Sequence, residues 1–423
     1  MLRLVLAVSA LAGPLSKLIL KHRLRKCKED PDRWHEKLGE ATAKRPDGPL
    51  VWLHGVGVGE VMALRGLVTT LARERAELNF LLTSSARSSG QVIAKNLPAR
   101  TTHQYLPLDF PAPVNSFLNH WRPDVVVWSD QEVWPRMAVQ VARRGIPQAY
   151  ISARITELSA LAKKRWGAAF GDLYRLMDLR HAQDVGTAQT LHRLMGDDST
   201  VHVTGTLKAI CAPLAFDPDL VSAFQAIMAS RRTWLLASSH PADETVALAA
   251  HQSICDADPN ALLMIVPRDI TRADSIAQQA EKLGFKAEKR SNTSLPDASI
   301  SVYIADTYGE LGTWYRAVDI ALIGGTFDAT EGHNPWEAVA LGTAVLHGPC
   351  TGNFAEDFAT LTAARGCLPV INAQDIAEAI MKRETMNFKQ RASAVKVDMS
   401  RGSAQITSDV LLLLDRCRRG ECE

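Results

Sequence analysis

Polar turns that could do chemistry recur at one kind of position in this sequence: directly after a short apolar run and directly before a helical pattern. The first is HGVGVGEV (His54 to Val61), in which Glu60 opens a helix. A carboxylate so placed can accept the proton of a hydroxyl as a general base, although a negative charge in a first helical turn is also favourable on dipole grounds alone. WSDQEVWPRM brings Asp130 and Glu132 to another such edge, and SARITELS brings Arg154. In the second half, LLASSHPADE offers Ser239 and His240 at a helix start, where backbone N–H groups attract phosphate. VPRD ends in Arg268, whose paired donors suit phosphate or carboxylate. IADTYGEL carries Asp306, Gly309 and Glu310, with Gly309 permitting close backbone approach to a ligand, and IGGTF adds two glycines. EGHNPWEAVALG begins a helix at Asn334, Pro335 and Glu337, and the Glu337 carboxylate can accept two sugar hydroxyls. Any one of these turns is also explained by helix capping. Five in one half of the chain, all on one sheet edge, we read as a single nucleotide cradle.

The elements that must position these turns alternate between short apolar runs and helical periods. PLVWLHG reads as a buried strand, and the helix after it places Val61, Leu64, Leu67, Val68 and Leu71 on one face. Further strands are expected at 80–83, 125–128, 148–151 and 201–203. A second set is expected at 233–237, 262–266, 299–304, 319–323 and 344–347. Such alternation implies right-handed crossovers and parallel sheets with helices on both faces, that is, an α/β chain of two doubly wound, Rossmann-like domains. Ligands of such sheets gather at the carboxyl ends of the strands. The expected division is a basic N-terminal segment (1–30), a first domain (31–207), a linker (208–231), a second domain (232–400) and a C-terminal helix (401–423). The stretch TGTLKAICAPLAFDPDL, with two prolines and no clear period, marks the linker. The leucines of VLLLLDRCRR must cover apolar surface, and the first domain is one candidate.

Composition narrows the function classes. The 423 residues carry a formal charge of +2 and are 46% hydrophobic, so a general nucleic-acid field is excluded and no nucleic-acid partner is expected. Seven scattered cysteines without a C-x-x-C pair argue against a disulfide framework and a structural zinc site. A P-loop, a zincin motif, a G-x-S-x-G elbow and Asp-rich clusters are all missing, so neither a cofactor nor a bound metal is expected. The charge is concentrated at one place: KLILKHRLRKCK (Lys17 to Lys28) holds six Lys/Arg and no acid, after an apolar run at 4–15. That run is short of the ~20 residues a span needs. We read the segment as a shallow membrane anchor with its basic cluster on anionic lipid. A secretory signal and an ordinary packed first helix are the alternatives.

Taken together the motifs resemble the 3-deoxy-D-manno-octulosonic acid (Kdo) transferases of lipopolysaccharide synthesis. The resemblance runs from RWHEKLGE (Arg33 to Glu40) to GPCTGNFAEDF (Gly348 to Phe358). It takes in HGVGVGE, YLPLDFP, EVWP, SARITELS, TGTLK, SSHPADE, VPR, DTYGEL, IGG and GHNPWEA in order. It implies a GT-B fold with its two domains facing a central cleft, a CMP-Kdo donor, a lipid A precursor as acceptor, inversion at the anomeric carbon and a membrane-associating N-terminus at the cytoplasmic face of the inner membrane. Carried over residue by residue, Glu60 matches the family's proposed base, and Arg268, Gly309, Glu310, Asn334 and Glu337 match the CMP-binding side. Glu132, Arg154 and Lys208 fall on the acceptor or sugar side. The sequence departs from the family at Gly55 and Gly57, commonly alanine and serine, at Ile210, commonly aspartate, and at Glu331, commonly glycine. Another nucleotide-sugar transferase or an epimerase on the same scaffold, and a non-catalytic membrane-bound paralogue, are the competing readings. A purely structural membrane protein would leave the polar turns unexplained.

Overall fold

The computed structural model describes residues 2–11, 13, 16–26, 28–94, 97–130, 133–155, 167–196, 199–207, 214–292, 295–382 and 387–419. The chain forms two compact units, Met1–Ala212 with Met399–Glu423, and Pro213–Asp398.

Unit 1 contains β1 (Leu50–Gly55), β2 (Asn79–Ser84), β3 (Thr101–Tyr105), β4 (Val125–Ser129), β5 (Gln148–Ala153), β6 (Leu179–Ala182) and β7 (His202–Val203). They form one sheet in the order β3-β2-β1-β4-β5-β6-β7, with every pairing parallel. Parallel sheets are covered on both faces, which is why β1, LVWLHG, is buried at every residue and reads as an unbroken apolar run. On one face the helix Val58–Glu74 packs Val61, Leu64, Leu67, Val68 and Leu71 against Val51, Leu53, Phe80 and Leu82, the stripe its periodicity predicts. The same cluster takes in Ile406, Val410, Leu413 and Leu414 from the helix Phe388–Arg418, so the C-terminal leucines cover the first sheet. The other face is built around Trp52, Phe117, Trp121, Trp128 and Tyr150.

Unit 2 contains β8 (Thr233–Ser239), β9 (Leu262–Pro267), β10 (Ala287–Lys289), β11 (Val302–Ile304), β12 (Ile320–Ile323), β13 (Ala344–His347) and β14 (Cys367–Pro369). They are again all parallel, in the order β10-β11-β9-β8-β12-β13-β14. The segment expected as a linker, 208–231, differs from that reading: it includes the helix Pro218–Met228 of unit 2. Asp217 caps this helix by accepting from the amides of Asp219 and Leu220, and Phe224 sets its ring against Trp314 and Tyr303. A proline at the first helical position starts a helix because its missing N–H is unpaired there in any case, so Pro218 is a start signal and not a breaker.

In both sheets the chain builds outward from a central strand and then returns to build the other side. The reversal lies between β1 and β4 in unit 1 and between β8 and β12 in unit 2. At such a switch point two successive crossovers leave in opposite directions and open a crevice at the strand carboxyl ends.

Candidate functional site

In unit 1 the switch point is acidic. Glu60 lies in the first turn of the helix after β1, and its Oε2 accepts from the Val56 amide at 2.6 Å. That bond turns the side chain back over the strand tip. Asp130 follows β4 with a φ of 59°, a left-handed conformation that costs a non-glycine residue free energy. The strain is held in place by partners: Tyr150 Oη donates to the Asp130 carbonyl at 2.7 Å, and Arg154 Nε donates to Oδ1 at 2.9 Å. Ser152, at φ 50°, is fixed likewise by the Leu207 amide, which donates to its Oγ at 2.8 Å. Glu60, Ala63, Ser129, Asp130, Ser152 and Leu207 line one small pocket. Arg154 therefore stands next to this pocket, engaged with Asp130. Glu132 and Lys208 lie outside the described residues, as does Ile210.

Gly55 and Gly57 are not demanded by the backbone. Gly57 has φ −90°, and a Cβ there would meet nothing closer than Glu60 Oε1 at 3.9 Å. At Gly55 an added Cβ would approach Leu64 Cδ1 to 3.1 Å and Glu60 Cβ to 3.2 Å, so both side chains would have to give by a few tenths of an ångström.

In unit 2 the switch point gathers two imidazoles and a guanidinium. His240 caps the helix Pro241–Ala257 after β8, and its Nε2 lies 2.9 Å from Nε2 of His333 with the rings stacked at 5.1 Å. Arg268, exposed just past β9, adds its charge beside His333 and Glu337. Burial, then His240 and Arg268, hold the His333 imidazole down at about 4, against the opposing pull of Asp328. Burial raises the Glu337 carboxyl above its ordinary value, while Arg268 and a hydrogen bond with Asn334 work the other way. Asn334 Oδ1 also accepts from the Trp336 amide at 3.1 Å, starting the short helix Trp336–Ala340 that carries Glu337. His240, Arg268, Asn334 and Glu337 thus share one neighbourhood, joined by His333, which sequence reasoning left out.

Two expected ligands stand elsewhere. The Ser239 hydroxyl is buried and donates to Glu244 Oε1 at 3.0 Å, and Glu244 is in turn held by Arg272 at 2.6 Å. Ser239 is consequently a core contact and not a side-chain phosphate ligand. The amide supply at this helix start is also smaller than expected. Pro241 has no N–H, and the His240 amide donates to Asp243 Oδ2 at 2.9 Å. Glu310 pairs with Arg290 at 3.0 Å and accepts from the Thr307 hydroxyl, so its charge is matched by the residue that follows β10. Gly309, beside it, has a φ of 85° with open space where a side chain would stand.

Asp243 was missed by sequence reasoning and holds the switch point together. Buried in the first turn after β8, it accepts from the amides of His240, Gly325 (2.6 Å) and Phe327 (3.2 Å), tying the β8 helix to the glycine turn after β12. The close approach leaves no room at Gly324, where a Cβ would stand 2.2 Å from the Ser238 carbonyl oxygen. A capping-box reading of H-P-A-D would have found this carboxylate. Nothing local marks His333, whose partner is 93 residues away.

Comparison with known proteins fits this geometry. Residues 32–210 match a family model described as 3-deoxy-D-manno-octulosonic-acid transferase (kdotransferase). The chain is 30% identical over 365 residues to a probable 3-deoxy-D-manno-octulosonic acid transferase, mitochondrial, of Arabidopsis thaliana, covering 84% of this chain and 80% of the relative. It is 31% identical over 388 residues to a 3-deoxy-D-manno-octulosonic acid transferase of Bordetella pertussis, covering 86% and 87%. Among solved structures, the UDP-GlcNAc 2-epimerase of Neisseria meningitidis bound to UDP-GlcNAc superimposes with a TM-score of 0.55 at 14% identity, over 86% of this chain and all of that one (100%). At that identity the likeness speaks for the fold alone, two doubly wound parallel sheets of the GT-B class. On these relatives and this architecture, the chain belongs to the 3-deoxy-D-manno-octulosonic acid transferase family of glycosyltransferases.

Proposed function

We propose that the protein moves Kdo from CMP-Kdo to a lipid A precursor in lipopolysaccharide synthesis, with inversion at the anomeric carbon and Glu60 as general base. The observation that carries this reading is the division of chemistry between the units. One switch point presents a carboxylate with one oxygen anchored by a backbone amide, and the other presents Arg268 with two imidazoles.

The anchored oxygen orients Glu60 so that the carboxylate can take the proton of an acceptor hydroxyl as that oxygen attacks the donor's anomeric carbon. Asp130, kept ionically matched by Arg154, lines the same pocket and offers hydrogen-bond acceptors to sugar hydroxyls. In unit 2, Arg268 and the His240–His333 pair carry positive charge or polar hydrogens toward the leaving phosphate. Asn334 and Glu337 would hold the ribose hydroxyls. Gly309 permits close passage of ligand past the β11 tip. Glu310 supports this edge through Arg290. Lys208 and Glu132 are assigned to the acceptor or sugar side by their family motifs.

The N-terminal helices Leu2–Leu11 and Ser16–Arg25 support attachment to the cytoplasmic surface of the inner membrane. Leu18 and Ile19 are exposed, 63% and 40%, on a helix that also exposes Lys17, Lys21 and Arg25. Among the described residues no helix is long and apolar enough to cross a membrane. Apolar side chains flanked by lysine and arginine suit the headgroup boundary of an anionic bilayer.

The test is incubation with CMP-Kdo and a tetra-acylated disaccharide precursor, with mass spectrometry of the lipid. Addition of a Kdo mass by the wild-type protein, and its loss in Glu60→Gln with CMP affinity kept, supports the assignment. Transfer retained in that variant removes Glu60 from the role of base.

A further inference from the structure

The His240–His333 contact has a chemistry of its own. A hydrogen bond between two Nε2 atoms 2.9 Å apart requires one of them to carry a proton and the other to be bare. Burial and the nearby Arg268 charge hold His333 below its ordinary value and so oppose a second proton on its ring. The ring that donates its Nε2–H has a bare Nδ1, and a proton added there would make the shared bond charge-assisted and about twice as strong, provided a counter-charge is at hand. The charged groups facing the pair are Arg268 past β9, Asp328 in the loop after β12 and, on the helix that His240 caps, Asp243. Asp243 is committed to three amides, and Glu244 on the same helix is matched by Arg272. Glu337 faces Arg268. Asp328 is thus the remaining carboxylate acting on both imidazoles, set against Arg268 and whatever charge the pair acquires.

We propose that the His240–His333 pair is an anion ligand that takes up a proton from solvent when a phosphate binds beside Arg268. This inference rests on the reading of unit 2 as the donor-binding half. The phosphate supplies a further counter-charge, and the imidazole–imidazolium pair holds it together with Arg268. Proton and phosphate then favour each other reciprocally, as linkage requires.

The experiment is calorimetric titration of the full-length protein with CMP at pH 7.5, in two buffers of different ionisation heat. The free phosphate monoester, with a second pKa of about 6, is already a dianion there, so uptake reports on the protein. Wild type is expected to take up a measurable fraction of a proton per CMP bound, with affinity falling by up to about tenfold per pH unit as pH rises. In the double variant His240→Gln/His333→Gln no imidazole remains to be loaded, so uptake disappears and the affinity profile flattens. His35→Gln, which removes an exposed imidazole of unit 1, keeps the uptake. Binding without uptake in the wild type overturns the proposal, as does uptake unchanged in the double variant or abolished in H35Q. Failure of CMP to bind at all instead removes the donor reading on which it rests.

Discussion

The helix after β1 and the helix after β8 each begin with a carboxylate that folds back onto its own strand tip, and the two carboxylates have opposite fates. Glu60 accepts from the Val56 amide and lines a pocket with Asp130. Asp243 accepts from three amides on two loops and is fully buried. Sheet position and helix-dipole environment are alike, so neither explains the difference. What differs is burial: Asp243 is closed off completely, whereas Glu60 is half-buried at a pocket wall. The glycine turn after β12 comes close enough to saturate Asp243, leaving it a structural tie. At the tip of β4 the corresponding turn is held by Tyr150 and Arg154 on Asp130 itself, and Glu60 remains at the pocket wall. On the proposed reading of Glu60, a carboxylate at a switch point is chemical or structural according to how closely the facing loop covers it.

The largest effect expected from this contrast is on activity. Glu60→Gln should lower transfer by about 10²–10⁴-fold, measured as lipid product per minute, while unfolding in denaturant shifts by less than about 1 kcal/mol. Asp243→Ala should invert the pattern. Leaving three amides unpaired costs on the order of 3–5 kcal/mol, read as a lower denaturant midpoint, and loss of activity then follows loss of fold. Equal destabilisation by both variants would break the comparison.

Acidification tests the imidazoles. Burial, with Lys37 adding, holds His54 at about 3, and burial with Arg33 and Lys37 holds His103 at about 3. For a histidine whose folded value is depressed, the stabilisation is complete above the unfolded value of about 6.5 and is lost as pH falls toward the folded one. Unit 1 should thus lose on the order of 3–5 kcal/mol between about pH 6.5 and pH 3 from His54 alone. The fluorescence of Trp128, whose ring lies 5.7 Å from His54, should report the transition.

Arg268→Ala should weaken CMP by about 10–100-fold, the worth of a charge-assisted contact, with thermal stability unchanged because the guanidinium is exposed. The smallest effect belongs to Gly57→Ser. The backbone there is extended and the space open, so serine should cap the helix and add a few tenths of a kcal/mol with transfer retained. A large loss of transfer in that variant would show that the bare glycine turn is part of the acceptor site.

Much of the architecture was legible from apolar runs: β1, β4, β5, β8, β9, β12 and β13 are buried at nearly every residue and stand out as unbroken hydrophobic text. The strands β3, β6, β10 and β14 were not read; three of them are sheet edges, and β6, LRHA, lies next to the edge strand β7. An edge strand packs less apolar surface, so TTHQY, AEK and CLP carry no signal of their own. The same limit applies at the sites. Glu60, His240, Arg268, Asn334 and Glu337 announce themselves by standing between a strand and a helix. Ser239 stands there too, yet the pleat turns its side chain inward to Glu244.

The sequence by itself determined the class of fold, the two sheets and the strand tips from which function is drawn, because periodicity and turn chemistry are local and written in consecutive residues. Tertiary structure alone decided which of those polar side chains meet. The pairing of His240 with His333, of Arg154 with Asp130 and of Asp243 with the β12 turn depends on strand order and on crossovers of many residues. Hydrogen bonds of 2.6–2.9 Å are set by that long-range geometry, which no stretch of neighbouring residues encodes.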